Sequence, residues 1–450
     1  MPVRSHHTVP AARLQAADLL GDAWTTEIVS RLPANFQTKA HELQVFQRAR
    51  GLSSPSDLLR GLLAYALEGF SSRAWAAWAV LIGLATISDR AWCRWLGRAS
   101  PWLLWLLSEL LAAQLPATPL PAPSARRILL VDASRLPLIG GRGDAWRLHL
   151  AYDLLAARMA QVLVSDQTTA ERLTHFELEA GDIVVADSGY GYRVNLLHVV
   201  AAGGDVVLRI HPATCPLLCE DGQPFDVLNW LKRTHGTLAE WSGWCSYRGQ
   251  LVGVRLIASK VPPERAAKAR KRKRREAKKA GRRIREATLV FAGWWLLLTT
   301  LAETDWPASE IVRLYQARWQ IELLFKRIKQ LLRVQAIRAK KRQAVEATIR
   351  AIVVAWALSE QIAAEVRALL PTSSRDPHAP ASSWLLATLA VQSLRTIVRG
   401  RWTLARIRAC LPLLVRLLVT SRRKRRQQEA ELRAWLLERF GGAQPLREAA

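Results

Sequence analysis

The sequence predicts an α/β protein in which a mixed sheet with helices is interrupted by a β-rich segment and flanked by helical regions. Three observations lead to that expectation. Apolar residues recur at spacings of three and four from Ala17 to Leu115, and again from Ser309 towards the C-terminus. Between Arg127 and Ile210 the pattern changes to short apolar strands in the order β-β-β-α-β-α-β. From His211 to Thr304 it becomes mixed and Trp-containing, with strand-like runs around a basic segment.

The N-terminal helices have recognisable starts, SPSD at Ser54 to Asp57 and ISD at Ile87 to Asp89, where a serine can accept the first free N–H groups. The run PATPLPAPS, Pro116 to Ser124, cannot continue a helix and reads as a linker. RILLVD, WRLHLAYDL and MAQVLVSD then follow with short turns between them, which suggests an antiparallel meander. A helical AERLTHFEL comes next, then DIVVADSGY, a short apolar run ending in Asp187, then a helical YRVNLLHVVAAG and the strand DVVLRI. Strands are expected at GQLVGVRLIAS and TLVFAGWWLLLTT. The segment Glu264 to Glu286 between them is strongly basic and reads as either an exposed, mobile arm or a contact to phosphate.

The chain of 450 residues has length enough for about two to four domains. Its 65 Lys and Arg against 37 Asp and Glu give a formal net charge of +28, which demands a polyanionic partner, and nucleic acid is the commonest. No membrane is expected: of the most apolar stretches, Ala74 to Ile87 is too short and Trp102 to Leu115 carries Glu109. The N-terminal MPVRSHHTVPAARLQ has no apolar core of signal-peptide length, so an intracellular protein with reduced thiols is expected. His211, Cys215, Cys219 and Cys245 have zinc-ligand chemistry but lack paired CxxC knuckles, and read instead as small buried residues.

The segment YQARWQIELLFKRIK is the most specific feature. On one helix Tyr315, Arg318, Glu322 and Lys329 point at about 0°, 300°, 340° and 320°, a narrow polar face. Leu314, Ile321, Leu324, Ile328 and Leu332 form a separate apolar stripe about a third of a turn away. Donors for phosphate oxygens thus flank one carboxylate. Asp132 ends the first predicted strand and Asp187 the fourth, so adjacent strands would bring both to one sheet edge, with Glu322 completing a trio. Three close carboxylates stay ionised together when a divalent cation sits among them, and magnesium or manganese suits oxygen ligands. Two such ions support in-line attack at phosphorus.

At these residues the chain resembles the DDE transposases of bacterial insertion sequences, specifically the insertion-sequence-four-like group with its Y-x2-R-x3-E-x6-K signature. The resemblance covers most of the chain. It implies an RNase H-like catalytic core with Asp132, Asp187 and Glu322 as catalytic and metal-binding residues for two Mg2+ ions, Mn2+ substituting. It implies DNA contacts by Tyr315, Arg318, Lys329 and Arg209, and base stacking by Trp295 during hairpin formation. In DSGY, Ser188 stands where an Arg often follows the Asp, which removes a phosphate contact but no metal ligand. The implied domains are a helical DNA-end-binding region (1–120), the first part of the core (121–210), a β-rich insertion with the basic run (211–305), the helix carrying Glu322 (306–345) and a helical C-terminal region for dimerisation and DNA contacts (346–450).

The expected activity is cut-and-paste DNA transposition by hydrolysis and transesterification. The partners would be double-stranded DNA, both terminal inverted repeats and target, and a second copy of the chain in the paired-end complex. The expected location is the bacterial cytoplasm, at the nucleoid. Two rivals remain: a catalytically inactive DNA-binding regulator, whose mark would be a lost carboxylate, and an RNase H-like nuclease, which needs no paired ends. All three carboxylates are present.

Overall fold

The computed structural model describes residues 23–49, 51–113, 127–137, 145–156, 158–166, 168–332, 334, 337–369 and 382–400. The predicted linker 116–124, the basic tail 421–428, the N-terminal 1–15 and the 401–418 part of the expected dimer interface lie outside them. Among the described residues a π turn, Trp24–Ile28, and a 3₁₀ turn, Val29–Arg31, precede five α-helices: α1 Phe36–Glu42, α2 Pro55–Glu68, α3 Ser72–Leu81, α4 Asp89–Arg98 and α5 Ser100–Ala113. As the sequence predicts, Ser54 caps α2 by accepting from Asp57 N at 3.1 Å, and Ser88 caps α4 by accepting from Ala91 N at 3.2 Å. Gly69 ends α2 in the left-handed region at φ 61°, where a residue without a Cβ is unstrained.

The core strands are β1 Ile128–Pro137, β2 Ala145–Asp153, β3 Arg158–Ser165, β4 Ile183–Ala186 and β5 Asp205–Arg209, with α6 Arg193–Ala201 crossing between the last two. Further along come α7 Val227–Arg233, β6 Leu238–Tyr247, β7 Gln250–Lys260, α8 Pro263–Lys279, α9 Glu286–Phe291 and β8 Trp294–Thr299. All eight strands form one mixed sheet in the order β3-β2-β1-β4-β5-β8-β7-β6. β1, β4 and β5 are parallel neighbours; the β1-β2-β3 meander and the β5-β8-β7-β6 side are antiparallel. The β-rich stretch after β5 therefore extends the core sheet through β8 instead of standing apart from it.

Alternation along the central strands divides the core in two. Leu130, Val185, Val207 and Leu297 face the larger helical layer. Leu129, Val131, Val184, Val206 and Leu298 face α6 and α7. The larger layer contains α10 Ala308–Ala317, α11 Trp319–Leu331, α12 Arg342–Leu369 and α13 Ser383–Arg399. α12 packs against α2, α4, α5 and α13, so the N-terminal helices and the C-terminal ones share one core. It is long and apolar enough to cross a membrane, yet most of it is buried inside the fold, which is how the central helix of a globular layer reads.

Four local expectations are corrected. Ala170 to Leu178 is no α-helix; only Leu173–His175 makes a 3₁₀ turn, because the Asn195 amide oxygen takes the Leu173 N–H at 2.9 Å and Leu173 and Phe176 bury together. Asp132 does not end its strand: β1 runs on to Pro137, paired with β2 throughout. The TLVF portion of the last predicted strand is helix α9, and the strand begins only after Gly293, where a Cβ would stand 2.7 Å from Arg270 Nη2. The basic run is the ordered helix α8, largely exposed, with the Arg270 guanidinium donating to Leu289 O.

Candidate active site

The parallel register brings the first two carboxylates together. Val131 pairs with Ala186 in the last rung between β1 and β4, so Asp132 and Asp187 occupy the next, unpaired step where β4 stops. By alternation Asp132 lies on the face of Leu130, beneath α11. Its Oδ1 accepts from Ala133 N at 2.8 Å. Asp187 opens a tight turn in which its Oδ1 accepts from Gly189 N at 2.8 Å and its carbonyl from Tyr190 N at 3.0 Å. Burial, and then the negative charge of Asp187, push the Asp132 carboxyl up to about 7, with Glu322 adding to the rise and Arg318 opposing it.

The third carboxylate arrives from the helical layer. The predicted single helix is two, α10 and α11, meeting at Arg318. There the ladder tightens to three-residue spacing, Arg318 N to Tyr315 O at 3.1 Å and Ile321 N to Arg318 O at 3.2 Å, while the backbone of Arg318 stays in the right-handed region. The polar face survives this tightening. Arg318 Nη2 donates to Glu322 Oε1, and Nη1 lies 3.4 Å from Asp132 Oδ2. The apolar stripe is buried as its spacing predicts, from Leu314 to Leu332.

Tyr315 is buried; its hydroxyl is raised first by burial and held back by the charges of Arg209, at the end of β5, and Arg318. Trp295 stands edge-on to the Tyr315 ring with centroids 5.6 Å apart, while the adjacent Trp294 turns to the opposite face, under Lys260 at 5.2 Å. Lys329 lines a cleft with Asp132, Ser134, Glu322 and Lys326; burial lowers its ammonium pKa, partly countered by Asp132. Every site residue expected from the sequence thus falls on one sheet edge or the helix pair above it. Ser134 and Lys326 were not singled out from the sequence. Lys326, one turn beyond Glu322, was legible in the same periodicity.

Among the described residues no three His, Cys, Asp or Glu side chains are drawn together into a ready-made metal cage. At this edge Arg318 pairs with both Asp132 and Glu322 and supplies positive charge there. Of the four zinc-type residues, Cys215 and Cys245 are buried with their sulfurs 3.6 Å apart, and no third ligand joins them.

A family model described as a transposase DDE domain matches residues 123–358, more than half of the 450. The chain belongs to the DDE transposase family. It is 34% identical over 337 residues to the putative transposase InsL for insertion sequence element IS186A of Escherichia coli strain K12, a match covering 73% of this chain and 90% of that protein. It is equally 34% identical over 338 residues to the transposase for insertion sequence element IS421 of Escherichia coli, covering 73% of this chain and 91% of that one. The mixed eight-stranded sheet with helices on both faces is consistent with the RNase H-like fold of DDE transposases. The family acts on DNA and uses divalent metal.

Proposed function

We propose that this transposase cuts and rejoins DNA at the ends of an insertion sequence, with Asp132, Asp187 and Glu322 as its catalytic carboxylates. The observation that supports this best is their convergence from β1, the end of β4 and α11, with Arg318 linking Asp132 to Glu322. The donor set fits hard divalent cations: it is all oxygen, and Asp132 is held near neutrality by burial beside Asp187, a situation that added positive charge relieves. Bound magnesium, two ions with manganese as substitute, would supply charge stabilisation and activation of the attacking hydroxyl.

The protein's own residues do the rest. Asp132, Asp187 and Glu322 would hold the cations, and Arg318 would pass from pairing with carboxylates to pairing with phosphate oxygens as DNA enters. Lys329 lines the cleft beside Asp132 and Glu322, and Tyr315, whose hydroxyl feels the charge of Arg209, offers a further donor. Trp295, on the catalytic face and beside Tyr315, is placed to stack on an unpaired base. α8 presents an extended basic surface suited to a phosphate backbone. The 3′ hydroxyl freed by the first cut attacks a second phosphodiester, either the opposite strand or the target.

Cutting both ends in one complex calls for two protomers. The helices after residue 344 are the proposed contact, and α13 leaves Leu385 and Leu389 exposed one turn apart. Action at the bacterial nucleoid, in the cytoplasm, follows from the same reading. A donor plasmid carrying both ends of the element tests it: in magnesium the protein should release the intervening segment, and a protein that binds both ends yet releases nothing would refute the activity.

A further inference from the structure

Arg318 serves only one side of the carboxylate group. It pairs with Asp132 and Glu322 and makes no ion pair with Asp187. On the other side Asp187 faces Glu171, which is supplied by the irregular loop between β3 and β4. A Cβ built on Gly189 would collide with Glu171 Oε2 and stand 3.0 Å from Asp187 Oδ1, so the two carboxylates press on the same glycine. Among the described residues Glu171 pairs with Arg147, at 3.7 Å from Oε1, whose Nη1 also donates to Thr169 O at 2.8 Å. Two carboxylates converging on one glycine can share a divalent cation as oxygen ligands.

An independent observation points to the same spot. Tyr190 is fully buried, and its hydroxyl has no hydrogen-bond partner among the described residues. The charges acting on that hydroxyl are those of Asp132, Glu171 and Asp187, opposed by Arg147. A phenol buried beside three carboxylates is a donor waiting for an oxygen, and it can fix the direction in which one of them presents its remaining lone pairs.

We propose that Glu171 is a fourth carboxylate of the catalytic edge, sharing with Asp187 a divalent-cation position on the side away from Glu322, with the Tyr190 hydroxyl orienting it. This rests on the reading that Asp132, Asp187 and Glu322 hold cations. It explains how a centre for two ions obtains oxygen ligands on both sides.

The test is a manganese titration followed by electron paramagnetic resonance, using the full chain bound to a duplex carrying the element's end, with free duplex as baseline. Native protein should show two classes of bound manganese. Glu171→Gln should weaken one class about tenfold or more, as Asp187→Asn does, and leave the class lost in Glu322→Gln untouched. Glu171→Asp, which keeps the charge but shortens the reach, should fall between, and Gly189→Ala should mimic Glu171→Gln by displacing the carboxylate. Unchanged manganese binding in Glu171→Gln, with a loss in Asp187→Asn, would make Glu171 only the partner of Arg147. No bound manganese in native protein would overturn the carboxylate reading itself, and this inference with it.

Discussion

Arg318 Nη1 lies 3.4 Å from Asp132 Oδ2, joining the cap between α10 and α11 to a strand 186 residues earlier in the chain. The same guanidinium holds Glu322 with its other amine. A planar fork does both at once; an ammonium cannot.

Arg318→Lys should therefore retain charge and lose geometry. Cleavage at saturating magnesium is expected to fall about 10–100-fold, the scale of a lost charge-assisted bidentate contact, with end binding weakened less. A gel-shift titration beside single-turnover cleavage separates the two. Equal losses in both would make Arg318 a binding residue only.

Trp295→Ala separates stacking from packing. Trp295 is half-buried against the helical layer, so some stability is lost, but the specific expectation concerns a later step. First-strand nicking should persist, and any product that needs a base held out of the helix should drop about tenfold or more, from the roughly 1–3 kcal/mol of base–aromatic stacking. Trp295→Phe should recover much of it. A proportional loss of nicking would assign Trp295 to the core.

Much of this site was legible because its parts are local. Ser54 and Ser88 announce their helices, the apolar runs announce β4 and β5, and the four polar residues of α10 and α11 follow from helical angle alone. What was not legible depends on partners distant in sequence. β1 continues through Ala133, Ser134 and Arg135 because β2 pairs with it, and no pattern within β1 announces that. Ala170 to Leu178 has helical spacing, yet the Asn195 side chain claims its backbone. Whether Trp294 or Trp295 faces the catalytic edge is fixed by strand register, which adjacent residues cannot reveal. Glu171 sits in no motif; only the turn at Gly189 brings it to Asp187.

Gly61 and Trp92 give a stability test away from the site. A Cβ on Gly61 in α2 would run into the Trp92 ring, which is fully buried on α4 and packed on Trp75 with centroids 4.5 Å apart. Gly61→Ala should destabilise the helical layer by about 1–3 kcal/mol despite the better helix propensity of alanine. Thermal unfolding measures it, and a rise in midpoint would show that the ring can yield.

His149 gives a pH dependence. It is fully buried on β2, bonded through Nε2 to Ser165 Oγ at 2.8 Å, and burial first, then His175 and Arg147, lower its pKa from 6.5 to about 4. The unfolded chain takes up this proton near 6.5 and the folded protein resists it until about 4. The stability tied to neutral His149 is thus complete above 6.5 and lost as pH falls towards 4, on the order of 1–3 kcal/mol. His149→Asn should remove that slope from denaturant unfolding measured between pH 7 and 4.5; a slope unchanged by the substitution would contradict the assignment.

The account stands on Glu322 acting within a metal-dependent centre. The most direct test compares native protein with Glu322→Gln on DNA carrying the element's own ends, in magnesium, at protein concentrations giving equal end binding. Cleavage by the native protein, abolished in the variant while binding persists, is the predicted result. Cleavage that survives in Glu322→Gln, or specific binding without cleavage by either protein, would contradict it.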